Sequence, residues 1–164
     1  MKLVASIALA AVMAAAALPA LAQNAGQIAH AKGGASCPRC NLFQADFGNQ
    51  ELKGRNFAGA RLRQSDMSLS VMNGTSFAGG DLRDVNAYGA VMTGANFAGA
   101  DLTNATFVGA YLQGANFRGA KLSGTNFSGA EMDRAAGLSQ AALEGACGDA
   151  ATTLPAGLHL RACR

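Results

Sequence analysis

The sequence predicts an all-β solenoid, a chain wound into thin stacked layers, and three observations carry that expectation. A bulky apolar residue recurs at every fifth position from Leu42 to Met132, through nineteen successive pentapeptides over residues 40–134, with one small centre at Ala87 and no insertion. The residue two places after the centre is Gly in 12 of the 19. The chain also has no Trp, two Tyr and 21 Gly among its 164 residues, and much of its hydrophobic half is Ala. Such a composition is short of the side chains that fill a globular interior.

A period of five matches neither the 3.6-residue repeat of an α-helix nor the two-residue repeat of a flat strand. It suits a chain that runs briefly extended and then turns a corner, with Gly relieving the backbone at the bend. A helix through the same stretch would carry a penalty of about 1 kcal/mol at each of a dozen glycines.

The residue two before each centre is small along most of the array, as at Ala95, Ala100, Ala105, Ala110, Ala115 and Ala120. The resulting motif stands as Ala95-Asn96-Phe97-Ala98-Gly99, Ala100-Asp101-Leu102-Thr103-Asn104 and Ala115-Asn116-Phe117-Arg118-Gly119. It resembles the pentapeptide-repeat family. That resemblance implies a right-handed quadrilateral β-helix with four pentapeptides per coil, the centre and the small residue two before it pointing inward.

The sequence carries its own check on four per coil. Centres taken 20 residues apart sort into columns: Leu42, Leu62, Leu82, Leu102 and Leu122 in one, and Phe57, Phe77, Phe97 and Phe117 in another. A third holds Leu52, Met72, Met92, Leu112 and Met132, and an irregular fourth holds Phe47, Met67, Ala87, Phe107 and Phe127. Where the centre shrinks to Ala87, the small slot grows to Val85, a volume-conserving exchange of the kind cores tolerate. Nineteen pentapeptides make nearly five coils, a shaft about 23 Å long at a strand spacing of about 4.8 Å.

The ends divide the chain into four parts. Residues 1–22 read as a secretory signal peptide: Lys2, an apolar run from Leu3 to Leu18, Pro19 and an Ala20-Leu21-Ala22 cleavage signal. The run is shorter than the roughly 20 residues that span a bilayer, so no membrane insertion is expected after cleavage near Gln23. Residues 23–39 read as a Gly/Ala-rich linker and N-terminal cap carrying Cys37-Pro38-Arg39-Cys40. After the repeats, residues 135–164 read as a C-terminal cap. Ser139 is positioned to N-cap a helix running to about Ala146, with Leu138 able to pack on Leu143. A return through Leu154-Pro155-Ala156-Gly157 would close it as a lid. This tail also resembles those of exported bacterial members of the family, which implies a periplasmic or secreted protein.

Export changes how the cysteines are read, because an even number in an oxidising compartment points first to disulfides. Cys37, Cys40, Cys147 and Cys163 allow three pairings. Bridged Cα atoms lie within about 7 Å, and the shaft would hold its ends roughly three times farther apart. Local pairs, Cys37 with Cys40 and Cys147 with Cys163, are therefore expected unless the tail runs back along a face. The alternative chemistry for Cys37 and Cys40 is a redox-active dithiol or a metal site. However, the motif runs straight into the first repeat, and Cys40 occupies its small slot. His30 and His159 have no ligand-like spacing. No enzyme activity, cofactor or metal is expected.

Without Lys2 the chain has 12 basic and 10 acidic residues, too small an imbalance to point to nucleic acid or an anionic membrane. Some relatives mimic DNA and inhibit DNA gyrase, but that carry-over would require a strongly acidic chain in the cytoplasm. Two surfaces are candidate contacts for a protein partner or a second copy. One is an apolar column, Val71, Val91 and Tyr111. The other is a charged strip on the leucine side, where Arg61, Arg63 and Arg83 stand beside Asp81, Asp101 and Lys121. A solvated face of weak ion pairs is the simpler reading of that strip. The expectation is a structural or protein-interaction module of the bacterial envelope.

Overall fold

The computed structural model describes residues 23–164; the expected signal peptide, residues 1–22, lies outside them. From residue 41 to residue 136 the backbone makes a parallel bridge every five residues, each to a residue 20 positions away. Asn41 pairs with Arg61, Asp46 with Asp66, Glu51 with Val71 and Asn56 with Ser76, and the series continues to Asn116 with Ala136. Four bridges per 20 residues define four sides to each coil, and parallel pairing stacks the coils directly.

Three local features build each side. The chain turns through two residues after every centre, and the next small slot donates back to the centre's carbonyl, as Ala60 N does to Phe57 O (3.0 Å) and Ala100 N to Phe97 O (3.0 Å). The second turn residue has positive φ, +66° at both Gly59 and Gly99, which is the type II turn that favours Gly there. The Asn or Asp before the centre folds over the turn. Asn56, Asn96 and Asn116 each accept from the N–H two residues on, at 2.9, 3.0 and 3.0 Å. A short amide or carboxylate at that position is thus a local hydrogen-bond acceptor. Between coils, Phe97 N donates to Asn116 O (2.8 Å) and Asn96 N to Thr75 O (2.9 Å).

The centres fill the shaft. Leu42, Phe47, Leu62, Phe77, Leu82, Phe97, Leu102, Phe107 and Phe127 are inaccessible to solvent, and so are Ala87 and most of the small slots. Phe97 lies between Phe77 and Phe117, with centroids 5.3 and 5.2 Å away and planes within 9° and 13°. Three of the hydroxyls in small slots donate to carbonyls: Ser70 Oγ to Met67 O (2.7 Å), Thr75 Oγ1 to Leu52 O (2.7 Å) and Thr125 Oγ1 to Leu102 O (2.9 Å), whereas the buried Ser65 Oγ has no partner. One slot departs from the inward pattern. Arg55 is exposed, because a guanidinium buried without a partner is costly, and its side chain leaves the shaft beside Gly34 at the N-terminal mouth.

Both ends differ from the sequence expectation. The segment expected to be a linker contains α1, Ala25–Lys32, N-capped by Asn24, whose side chain accepts from Gln27 N. Gln27 Oε1 in turn accepts from Asn41 N on the first coil, and Ala31 is fully buried. Residues 36–40 then form another turn in register with the repeats, Cys37 N donating to Asn56 O and Arg39 N to Ala58 O. Cys37 therefore takes the centre position at the foot of the phenylalanine column.

At the other end α2 spans Gln140–Leu143, with Ser139 Oγ accepting from Ala142 N. It stops short of Ala146 because the next residues bond to the last coil: Gly124 N donates to Gly145 O (2.7 Å) and Cys147 N to Thr125 O (3.0 Å). The tail winds on as an irregular coil, with Cys147 paired to Asn126 and Thr153 to Glu131. A parallel pair, β1 (Cys147–Gly148) and β2 (Arg161–Ala162), adds a layer over one side. Among the described residues no helix is long and apolar enough to cross a membrane.

Candidate interaction surfaces

The cysteines lie inside or against the shaft. Cys37 is bonded to Cys40 and Cys147 to Cys163, with Cα separations of 5.5 and 4.9 Å. Cys37 is buried, and its sulfur lies 4.0 Å from the Gln27 carbonyl of α1. The first bridge therefore joins an inward centre to an inward slot beneath a helix, which is poor access for a partner thiol. Among the described residues no three His, Cys, Asp or Glu side chains gather as a metal site. His30 is on α1, not in a linker. His159 joins the tail to α2 through its backbone, which exchanges two hydrogen bonds of 3.2 Å with the Gln140 amide.

The strip on the leucine side is a set of internal pairs. Arg83 holds both oxygens of Asp81 at 2.7 Å, Arg63 Nε is 3.2 Å from Asp84, and Lys121 is 3.5 Å from Asp101. The Arg61 guanidinium sits 5.0 Å over the Phe43 ring. The forked bond to Arg83 holds the Asp81 carboxyl below the usual carboxylate range and raises the guanidinium in turn. At Asp101, burial pushes the carboxyl up, but hydrogen bonds from Thr103 and the charge of Lys121 outweigh it and leave the value lowered. Charges that satisfy one another along a face leave little for a ligand.

The apolar column divides. Val71 and Val91 are half-buried, each shielded by its ladder neighbours, whereas Tyr111 is 43% exposed. The most exposed large apolar side chains are Leu69 and Tyr88, at 53% each, and the sequence reading overlooked both. They stand at the corner between the irregular column's side and the side of Val71, Val91 and Tyr111. Leu69 has φ +56°, a left-handed conformation that is unfavourable for a bulky side chain. The signal was present in the repeat: among the nineteen turn positions that favour Gly, Leu69 is the one apolar occupant. Its side chain lies over Gly89 on the next coil, where an added Cβ would fall 2.8 Å from Leu69 Cδ2.

A different corner is hollow. Pro38, Arg39, Ala58, Gly59 and Ala78 line an open depression of about 590 Å³ where the phenylalanine side meets the leucine side. That phenylalanine side is otherwise flat, with Asn96 and Asn116 linked by a side-chain hydrogen bond of 3.2 Å.

With this geometry in view, the family follows. Residues 40–147 match the model of pentapeptide repeats in eight copies, over overlapping segments 40–79, 70–109, 81–119 and 110–147. The chain belongs to the pentapeptide-repeat family. Among solved structures it is similar to HetL, a pentapeptide repeat protein involved in heterocyst differentiation regulation from the cyanobacterium Nostoc. The two are 27% identical with a TM-score of 0.43, over 70% of this chain and 51% of that one. It is also similar to a pentapeptide repeat protein from the Arabidopsis thaliana thylakoid lumen, at 31% identity and a TM-score of 0.31, over 65% of this chain and 59% of that one. The chain thus spans about half the length of HetL. A comparison with curated proteins returns no match.

Proposed function

We propose that this chain is an exported, non-catalytic protein-interaction module whose shaft is a rigid right-handed support for a contact surface on its sides. The observation that carries the reading is the exposed apolar corner of Leu69, Tyr88 and Tyr111, set among sides whose charges are mostly paired. Seven described non-glycine residues have positive φ, and Leu69 is the apolar one among them; backbone held in that region tends to cluster at functional sites. The right hand follows the preference of parallel crossover connections. In this reading α1 and the C-terminal tail act as caps that deny the open coil edges to other chains. Export draws support from the charged, apolar and cleavage regions of residues 1–22 and from two disulfides, which persist in oxidising compartments.

Fractionation of the native host cell with mass measurement of the recovered chain tests export, and the expected product begins near Gln23 in the envelope or medium. A full-length product in the cytoplasm would contradict it. Recovery of partners on immobilised mature protein from envelope extract tests the module. The account expects a binder lost on Leu69→Gly, and no binder at all, with no self-association, would remove the reading.

A further inference from the structure

The exposed corner and the hollow corner have a relation that the square cross-section makes plain. The four sides follow one another as the phenylalanine, leucine, irregular and Leu/Met columns. The hollow lies at the first junction and the Leu69/Tyr88 projection at the third, so they occupy diagonally opposite corners. Leu69 is ten residues beyond Gly59, half a coil along the chain, and Ala58 and Ala78 bracket it in sequence, so both features stand at the same height on the shaft.

Their flanking charges are opposite in sign. The phenylalanine side, residues 35–39, 55–59, 75–79, 95–99 and 115–119, carries Arg39, Arg55 and Arg118 and no acidic residue. The side across the shaft, residues 45–49, 65–69, 85–89, 105–109 and 125–129, carries Asp46 and Asp66 and no basic residue. Asp46 is 3.7 Å from Lys32 of α1, and Asp66 accepts from Asn86. Among the described residues no ion pair engages Arg39, Arg55 or Asp66, whereas the leucine side satisfies its charges internally.

We infer that the occupant of the exposed corner is a second copy of this chain, its hollow receiving Leu69 and Tyr88 while Arg39 and Arg55 face the Asp46/Asp66 side. This deepens the interaction-module reading and rests on it. A contact between unlike surfaces on opposite corners is heterologous, and one that repeats by translation does not close on itself. The product is an open side-by-side row of shafts, not a dimer. One narrow side of a short shaft is a small interface, so each contact is weak, and its charge component fades with salt.

Sedimentation velocity on the mature, disulfide-bonded protein up to millimolar concentration at low salt is the test. The row predicts a sedimentation coefficient that rises with concentration without a plateau at the dimer, and falls back in high salt. Leu69→Gly places at that turn the residue most of the repeats already use, so it folds, and it should abolish the rise. Arg39→Glu combined with Arg55→Glu should weaken association about tenfold at unchanged melting temperature. Adding Ser68→Lys, beside Leu69, should restore part of it by giving the new glutamates a cation across the contact. A closed dimer, or a rise indifferent to Leu69→Gly and to the charge exchange, would overturn the inference. A protein that stays monomeric throughout yet recovers an envelope partner through Leu69 would overturn the row and leave the module. Monomeric behaviour with no partner would remove both.

Discussion

The phenylalanine column and the irregular column run up opposite sides of one shaft and are built by the same turns, yet they differ inside and out. The first stacks Phe57, Phe77, Phe97 and Phe117 at centroid spacings of 5.2–5.9 Å, under a surface of Asn, Ser and Ala broken only by Arg39, Arg55 and Arg118. The second interrupts its aromatics with Met67 and Ala87, makes up volume with the buried Val85, and projects Leu69 and Tyr88. A solenoid divides its stability into nearest-neighbour contacts between coils, so a regular column can hold the layers together while another gives up regularity for a surface. The difference teaches that departures from the repeat, more than the repeat, are where this chain's individual properties lie.

The largest effect should come from breaking the regular column. Phe97→Ala would open a cavity between two stacked rings in a shaft that cannot easily collapse, a loss of about 3–5 kcal/mol. Ala98→Ser, one residue along and half-exposed, should be close to neutral. Chemical denaturation compares the two, and equal mildness would mean that the centre does not carry the core.

A loss of about 3 kcal/mol is expected from removing the Cys147–Cys163 bridge, which closes a loop of about 15 residues. Its damage should remain local, because the tail touches the last coils and the rest hold one another. Amides near Leu122 and Met132 should lose protection from hydrogen exchange while those near Leu62 keep it. Uniform loss along the shaft would contradict independent coils.

Acid should weaken the leucine side and the tail together. Asp81 and Asp101 are held below the usual range by the contacts described above, and Asp149 chiefly by the N–H of Gly129, against some opposing desolvation. For a lowered carboxyl, the stabilisation is present above the unfolded value of about 3.9 and is lost as pH falls through the lower folded values. The melting temperature should therefore hold from pH 7 to about 5 and fall below about 4. A fall beginning near pH 6 would implicate other groups.

Most of the shaft was legible because it is local chemistry repeated: turn, small slot, centre and bracing Asn or Asp all sit within five residues. The columns and the Ser139 cap were legible for the same reason. The parts that escaped depend on contacts remote in sequence. Helix α1 lies in a stretch of Ala and Gly with little amphipathic pattern, and only Asn24 and Gln27, spaced as a capping pair, marked its start. Cys37 completes the phenylalanine column although its turn lacks the family motif. The tail's winding rests on bridges at irregular spacings of 21 and 22 residues, Asn126 to Cys147 and Glu131 to Thr153, which no period announces. The exposed corner was missed because Val71 and Val91 looked exposed in the repeat register, while Leu69 was hidden in a turn position that is normally Gly.

The most direct test sets the two columns against each other in one urea titration of Phe97→Ala and Leu69→Gly beside the parent, at a concentration low enough to keep every chain monomeric. If the regular column carries stability and the irregular side holds a leucine at the expense of stability, the two variants move in opposite directions. Phe97→Ala should lower the midpoint steeply, and Leu69→Gly should raise it by an amount worth about 0.5–1 kcal/mol as the left-handed strain at that turn is relieved. A midpoint that falls in Leu69→Gly as it does in Phe97→Ala would mean that Leu69 belongs to the stabilising structure, and the division between the columns would be wrong.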